Sequence, residues 1–164
     1  MHKNIFRRIF NRTLALIARF APGHKGLRPF LHRLRGVKTF GDVRIGEDVI
    51  LENECPECIE LHEGCRIALR STLMAHFRGT GKIIVGKNVL IGPACFISAS
   101  TPNKTLTIGE GSVLAAGTVL INKDVPPHTM MGGVPAKPIA KVTNPLTLDT
   151  SYEEFKKGIV PLDK

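Results

Sequence analysis

The feature that most constrains this chain is a repeat of six residues that begins near residue 43. Within each of four groups, an aliphatic residue recurs at a step of six, and a small or aliphatic residue precedes it by two positions. An α-helix would show a period of about 3.6 residues, so the pattern favours short strands joined by tight corners. The aliphatic anchors are Ile45, Leu51, Leu61, Ile67, Leu73, Val85, Ile91, Ile97, Ile108, Leu114 and Leu120.

Interruptions of the repeat predict where loops leave the scaffold. Three units close one triangular coil of about eighteen residues, and stacked coils pair each strand with the strand above it. The step widens to twelve residues from Leu73 to Val85 and to eleven from Ile97 to Ile108. Extra residues cannot stay in the coil without breaking its register, so they must protrude at a corner. Loops on a rigid scaffold are where chemistry usually takes place.

The positive charge of the chain is confined to an N-terminal arm. Residues 1–38 contain ten Lys or Arg and no Asp or Glu, whereas residues 39–164 contain thirteen basic and fourteen acidic residues. The spacing of apolar residues in the arm predicts an amphipathic helix over 3–20 and a second helix over 27–34. Two alternatives stay open: the arm lies on an anionic membrane surface, or it packs its apolar face against protein. One Tyr and no Trp argue against a nucleic-acid partner.

Four motifs carry a family resemblance over residues 40–142. They are 83–92 (IIVGKNVLIG), 111–119 (GSVLAAGTV), 123–127 (KDVPP) and 132–137 (GGVPAK). With these motifs the chain resembles the hexapeptide-repeat acyltransferases. The resemblance implies an all-β fold, a left-handed parallel β-helix that forms a triangular solenoid of about four coils. The arm and residues 54–59 (ECPECI) look like the O-acetyltransferase branch that acts in surface polysaccharide synthesis.

We expect three parts in the chain: the basic helical arm at 1–38, the β-helix at 39–142 and a tail at 143–164. Ser151 and Glu154 form a capping-box pattern that predicts a short helix ending near Gly158. No apolar run approaches the roughly 20 residues of a membrane span, and no secretory signal is convincing. A cytoplasmic protein is therefore expected, with peripheral membrane contact through the arm as an option.

His76 is the candidate catalytic residue. It lies in the extra segment after Leu73, where the resemblance implies a general base. Transfer of an acetyl group from acetyl-CoA to a saccharide hydroxyl requires the hydroxyl proton to leave, and imidazole accepts protons near neutral pH. The sequence does not identify the group that orients His76.

The resemblance also implies where the donor binds. Coenzyme A would lie in the groove between neighbouring subunits of a homotrimer, and the motifs assign Pro93, Ala116, Lys123 and Lys137 to it. The two lysines would neutralise its phosphates. Pro93 departs from the family pattern because it has no backbone N–H that could donate a hydrogen bond to coenzyme A.

The acceptor side carries less information. Asn53 and Glu54 lie in an earlier coil and are candidates for binding a sugar hydroxyl, although a role as solvent-facing corner residues is equally open.

Two further departures from the family pattern concern the side that binds coenzyme A. The stretch 116–123 is one residue longer than usual, and Ala140 stands where a basic residue is common.

The four cysteines predict neither a metal site nor a covalent intermediate. Cys55 and Cys58 form a single pair, whereas a zinc ribbon needs more ligands. Cys65 and Cys95 occupy small inward positions of the repeat. We therefore expect direct transfer of the acetyl group from donor to acceptor.

Three alternatives to an O-acetyltransferase stay open. They are N-acetylation of an amino sugar, a zinc hydratase on the same scaffold, and a non-catalytic scaffold whose arm docks on a membrane or partner.

Overall fold

The computed structural model describes residues 4–76, 79–147 and 149–162. In these ranges, fifteen short strands make up most of the regular structure. In chain order the elements are α1 (Ile5–Phe20), α2 (Leu27–Leu34), β1 (Lys38–Thr39), β2 (Arg44–Ile45), β3 (Ile50–Leu51), β4 (Ile59–Leu61), β5 (Arg66–Ile67), β6 (Thr72–Met74), β7 (Lys82–Val85), β8 (Leu90–Ile91), β9 (Phe96–Ser98), β10 (Thr105–Ile108), β11 (Val113–Leu114), β12 (Val119–Ile121), β13 (Thr129–Gly132), β14 (Lys137–Val142), α3 (Tyr152–Lys157) and β15 (Ile159–Pro161).

Three sheets form the sides of a triangular solenoid. The first sheet contains β1, β4, β7 and β10, the second contains β2, β5, β8, β11 and β13, and the third contains β3, β6, β9 and β12. Neighbouring strands in these sets are parallel. Arg44 pairs with Arg66, Arg66 with Leu90 and Leu90 with Val113, so successive coils contain 22, 24 and 23 residues. The predicted solenoid of about four coils is confirmed.

The six-residue repeat fills the inside of the prism. Every aliphatic anchor is buried, and so is every residue two positions before an anchor. Where this preceding residue is polar, it bonds to the backbone: the Ser71 hydroxyl donates to the Gly92 carbonyl at 2.9 Å. Burial of an aliphatic side chain contributes about 1.5–3 kcal/mol, so this column of anchors is the main source of stability.

All three loop insertions leave the solenoid at one corner, where the third sheet leads into the first. Residues 75–76 and 79–81 belong to the insertion after β6, and the loop 99–104 follows β9, as the repeat predicts. A shorter insertion at 52–58 follows β3, and it contains the 3₁₀ turn Pro56–Cys58. The loops stack on each other, since the Asn103 N–H donates to the Thr80 carbonyl at 2.9 Å. This corner is therefore the most elaborated part of the scaffold.

The N-terminal arm packs on the first coil by its small and polar face. The buried residues of α1 are Asn11, Ala15 and Ala18. The arm is held on the first coil by Arg19, which bonds Asp48 at 2.8 Å through Nε, and by Arg28, whose guanidinium donates to the Ile45 carbonyl at 3.2 Å. Both predicted arm helices are confirmed, but α1 buries small side chains rather than its large apolar ones.

The tail covers the outer face of the second sheet. Strands β14 and β15 run antiparallel beyond β13, and Phe155 of α3 packs with Val113 and Val142. The predicted capping box at Ser151 and Glu154 is present. In the part of the chain that the structure describes, no helix is long and apolar enough to cross a bilayer.

Candidate functional site

His76 and Glu52 meet at the elaborated corner. His76 follows β6, and Glu52 follows β3 one coil earlier, because Leu51 and Leu73 are paired in the third sheet. The Nδ1 atom of His76 lies 2.5 Å from Oε2 of Glu52. A carboxylate only accepts hydrogen bonds, so the network assigns a proton to Nδ1 of His76, and in that tautomer of the neutral ring Nε2 is the acceptor. The structure thus identifies the group that the sequence could not.

Glu52 is a buried carboxylate whose oxygens are all engaged. The residue is 2% exposed, and its carboxylate accepts the backbone N–H groups of Ala75 and Glu54, each at 2.8 Å. Three donors on one carboxylate fix its rotamer. The side chain of His76 is 39% exposed, so the imidazole is held on its buried side and open on the other.

Arg35, at the end of α2, lies behind this pair. It is fully buried and binds the Leu51 carbonyl, Asn53 Oδ1 at 2.9 Å and His32 Nδ1 at 3.1 Å. Burial lowers the pKa of Arg35 to about 10, while the negative charge of Glu52 acts in the opposite direction. The guanidinium therefore stays charged at neutral pH and supplies a buried positive charge that interacts with the carboxylate of Glu52.

His32 is the neutral member of this network. Burial, followed by the charge of Arg35, lowers the pKa of His32 to about 3. Its Nδ1 accepts from Arg35, so its own proton resides on Nε2. The chain of contacts links the N-terminal arm to the corner that carries His76.

Neither Asn53 nor Glu54 has a side chain free at this corner. Asn53 accepts from Arg35, and Glu54 pairs with Arg8 at 3.3 Å and with Arg12 at 3.0 Å. Against the raising effect of burial, these two arginines hold the pKa of Glu54 below its usual value. The structure thus gives both residues partners in the arm, and their role in acceptor binding stays a prediction.

Three of the four residues predicted to bind coenzyme A lie along the edges of the third sheet. Pro93 and Ala116 are exposed at the corner that precedes it, where the Gly117 N–H donates to the Pro93 carbonyl at 2.8 Å. Lys123 is exposed at the opposite corner, which also carries His76. Lys137 is exposed at the start of β14, outside the parallel coils. The structure brings Lys123 and His76 to one corner, and Lys137 directly follows Ala136, which lines a cavity together with Lys123.

Two cavities open on the outer side of the third sheet. One of about 560 Å³ lies between β9 and the loop after it, and one of about 240 Å³ lies beside Lys123. Both include Ile121, so they adjoin along β12. The larger is lined by Phe96, Ser98, Ser100, Thr101, Pro102, Ile121 and Asn122, and the smaller by Val119, Leu120, Ile121, Lys123, Val134, Pro135 and Ala136.

The cysteine thiols are placed as packing groups. Burial raises the pKa of the Cys65 thiol to about 12 and also raises the pKa values of Cys55 and Cys95. A thiol becomes a nucleophile only as its thiolate, so these three side chains are inert at neutral pH. Among residues 4–76, 79–147 and 149–162, no three His, Cys, Asp or Glu side chains cluster as a metal site would require.

Glu52 is the candidate functional residue that the sequence analysis missed. Its position carried a signal, because it directly follows the anchor Leu51, just as Met74 follows the anchor Leu73. An acidic residue at that place lies one coil from the histidine loop. The insertion at 52–58 obscured the relation, because it lengthens the chain between Glu52 and His76, which are 24 positions apart.

Comparisons with known proteins agree with this architecture. No protein-family model matches the chain. A Bacillus subtilis protein named "Putative acetyltransferase YvoF" is 32% identical over 158 residues, which are 90% of this chain and 82% of that protein. A Staphylococcus aureus protein named "Putative acetyltransferase SACOL2570" is 37% identical over 81 residues, 49% of this chain. The match spans only 38% of the length of that relative.

Solved structures share the fold. A hexapeptide-repeat containing acetyltransferase from Vibrio cholerae superposes with a TM-score of 0.63 at 22% identity, covering 85% of this chain and 92% of that one. A maltose O-acetyltransferase from Clostridium difficile 630 gives 0.57 at 21% identity, covering 85% and 88%. A second structure of the Vibrio cholerae protein contains acetyl coenzyme A. This likeness confirms the expected left-handed parallel β-helix.

Proposed function

Because this chain belongs to the hexapeptide-repeat acyltransferases, we propose that it transfers an acetyl group from acetyl coenzyme A to a hydroxyl group of a saccharide. The observation that carries the proposal is the contact between His76 and the buried carboxylate of Glu52. Such a pair leaves one imidazole nitrogen free to accept a proton. The maltose O-acetyltransferase of the same fold supports a saccharide as the acceptor.

His76 acts as the general base through Nε2. It takes the proton of the acceptor hydroxyl as the oxygen attacks the carbonyl carbon of the thioester, and it returns that proton to the sulfur that leaves. The products are an acetyl ester and free coenzyme A. Glu52 acts as a positioning residue, since it holds the Nδ1 proton and stabilises the imidazolium that forms between the two proton transfers.

The donor is proposed to lie along the outer side of the third sheet. Coenzyme A, when bound, supplies the acetyl thioester. The residues present suit it, because apolar Val119 and Ile121 line the wall beside the exposed ammonium group of Lys123. An ammonium group neutralises phosphate, and apolar walls pack against a pantetheine arm. Pro93, Ala116 and Lys137 remain candidate contacts farther along.

A homotrimer is proposed as the active assembly. The cavities of one chain are open grooves on one side of the prism, so a neighbouring subunit would close them and exclude water from the thioester. Supply of acetyl coenzyme A from metabolism makes the cytoplasm the proposed compartment. Mass measurement by light scattering tests the assembly directly.

The deciding experiment measures release of coenzyme A thiol from acetyl coenzyme A across a panel of saccharides, amino sugars and lipid-linked glycans. We expect turnover with hydroxyl acceptors, and His76→Ala should lower it by at least about 10³-fold without changing the thermal unfolding midpoint. His24→Ala is the matched control, because His24 is an exposed histidine of the arm.

Four results would argue against this function. Near-normal turnover of His76→Ala would remove the general base, and an acyl-enzyme detected by mass spectrometry would remove direct transfer. Turnover with amines alone would identify an N-acetyltransferase. Absence of acetyl coenzyme A binding in calorimetry would point to a non-catalytic scaffold.

A further inference from the structure

The outward face of helix α1 is apolar along its whole length. Seven large side chains of this helix are between 45% and 76% exposed. At about 100° of rotation per residue they fall in a single sector of about 140°, which they share only with Thr13. We call this sector the apolar face; it consists of Ile5, Phe6, Ile9, Phe10, Leu16, Ile17 and Phe20.

The rotation of α1 about its own axis is fixed by contacts on the opposite side. Asn11, Ala15 and Ala18 are buried against the body. Arg12 pairs with Glu54 at 3.0 Å, and the Asp48 N–H donates to the Arg19 carbonyl at 2.8 Å. Turning the apolar face toward the body would break these contacts and place large side chains against the surface that now receives alanines. The apolar face therefore points away from the body as a consequence of docking.

Helix α2 adds to the exposed apolar area of the arm. Leu27, Phe30 and Leu34 are 43%, 48% and 46% exposed and lie on one side of the helix, at spacings of three and four residues. Its other side is buried through Leu31 and His32. Isolated exposed apolar residues are ordinary, but ten on two adjoining helices require a partner surface.

The charge of the arm selects the partner. Residues 1–38 carry ten cations and no carboxylate. Arg8, Arg12 and Arg19 pair with carboxylates of the solenoid, and the exposed Arg7 flanks the apolar face beside Phe10. Two arms placed face to face would bring like charges together. An anionic bilayer complements both properties, since lipid headgroups attract the cations and the acyl boundary receives the phenylalanines. The helix is too short and too charged to span, and it suits a position in the interface.

We propose that the apolar face of α1 inserts into the interfacial region of anionic membranes and holds the enzyme on the bilayer surface. This inference does not depend on the proposed reaction, because it concerns the arm alone. It differs from the ordinary case of an amphipathic helix that turns its apolar side to the core, since here the core side is already occupied by small residues.

The test uses the full chain and sedimentation with lipid vesicles. Vesicles of phosphatidylcholine mixed with an equal amount of phosphatidylglycerol should bind the protein, and binding should weaken as salt rises. Vesicles of phosphatidylcholine alone should bind it at least roughly tenfold more weakly. Because the chain contains no Trp, Phe10→Trp gives a single reporter whose emission should shift to the blue on binding.

The double variant Ile9→Ser, Phe20→Ser should lower the partition coefficient by at least roughly tenfold. Both side chains are more than half exposed, so the fold and the thermal midpoint should not change. Leu69→Ser is the matched control, because Leu69 is an exposed apolar residue of the solenoid, 46% exposed, and its loss should leave binding intact.

Several outcomes would overturn the proposal. They are failure of the natural chain to bind anionic vesicles, equal binding to neutral ones, or unchanged binding of the double variant. If the natural chain ignores vesicles and the double variant has a smaller mass in light scattering, a second copy of this chain covers the apolar face instead.

Discussion

Replacement of Glu52 by Gln tests the central contact of the site. The change preserves the size of the side chain but removes its charge. Glu52 receives three N–H donors, from Ala75, Glu54 and His76. An amide offers one oxygen and one NH₂ group, so at least one donor must face another donor. The imidazolium that forms during proton transfer also loses its counter-charge.

The size of the effect follows from the geometry. Two unit charges about 4 Å apart interact by about 4 kcal/mol at an effective dielectric constant near 20. The side chain of His76 is 39% exposed, so solvent screening reduces this to roughly 2 kcal/mol. Since about 1.4 kcal/mol corresponds to a tenfold change in rate, we expect kcat to fall by roughly 30-fold. The KM for acetyl coenzyme A should stay unchanged, because Glu52 lies behind His76.

The assay is steady-state thiol release with the best acceptor, at saturating acetyl coenzyme A. Glu110→Gln serves as the control, because Glu110 is an exposed carboxylate after β10, at a different corner of the prism. Thermal unfolding of both variants separates misfolding from a chemical defect. Wild-type kcat in a folded Glu52→Gln protein would refute the assignment of Glu52 as the residue that positions His76.

Three further predictions concern stability. Arg35→Met should lower the free energy of unfolding by about 3 kcal/mol in urea titrations, because it removes a buried charge beside Glu52 and its hydrogen bonds; a loss below about 1 kcal/mol would contradict a structural role. His32 is neutral in the folded state, with a pKa of about 3, but has a pKa of 6.5 when unfolded. The unfolded chain therefore binds more protons below pH 6.5, and the free energy of unfolding should fall by about 1.4 kcal/mol per pH unit as the pH drops from about 6 to 4. His32→Asn should flatten this slope. An unchanged slope in the variant would exclude His32 as its source. Ile97→Ala empties a fully buried anchor and should cost about 2–5 kcal/mol, measured by thermal unfolding, whereas a cost under about 1 kcal/mol would mean that the coil collapses around the gap.

The apolar pattern of the arm predicts a helix but does not predict how that helix is oriented on the body. The spacing of apolar residues correctly predicts α1, but it does not say which side of the helix meets the body. Docking is decided by alanines and an asparagine that match the surface of the first coil, together with arginines that reach Glu54 and Asp48. Those acidic partners lie 29 to 46 positions away.

The sequence by itself determined the solenoid and the loop that carries His76. Each coil obeys a local rule: an inward side chain recurs every six residues, and any additional residues must protrude at a corner as a loop. Only the tertiary structure decided that Glu52 orients His76, that Arg35 lies buried behind them and that α1 faces outward. These contacts join different coils and the arm, so they depend on how insertions of unequal length bring distant positions into register, and no short-range period encodes that distance.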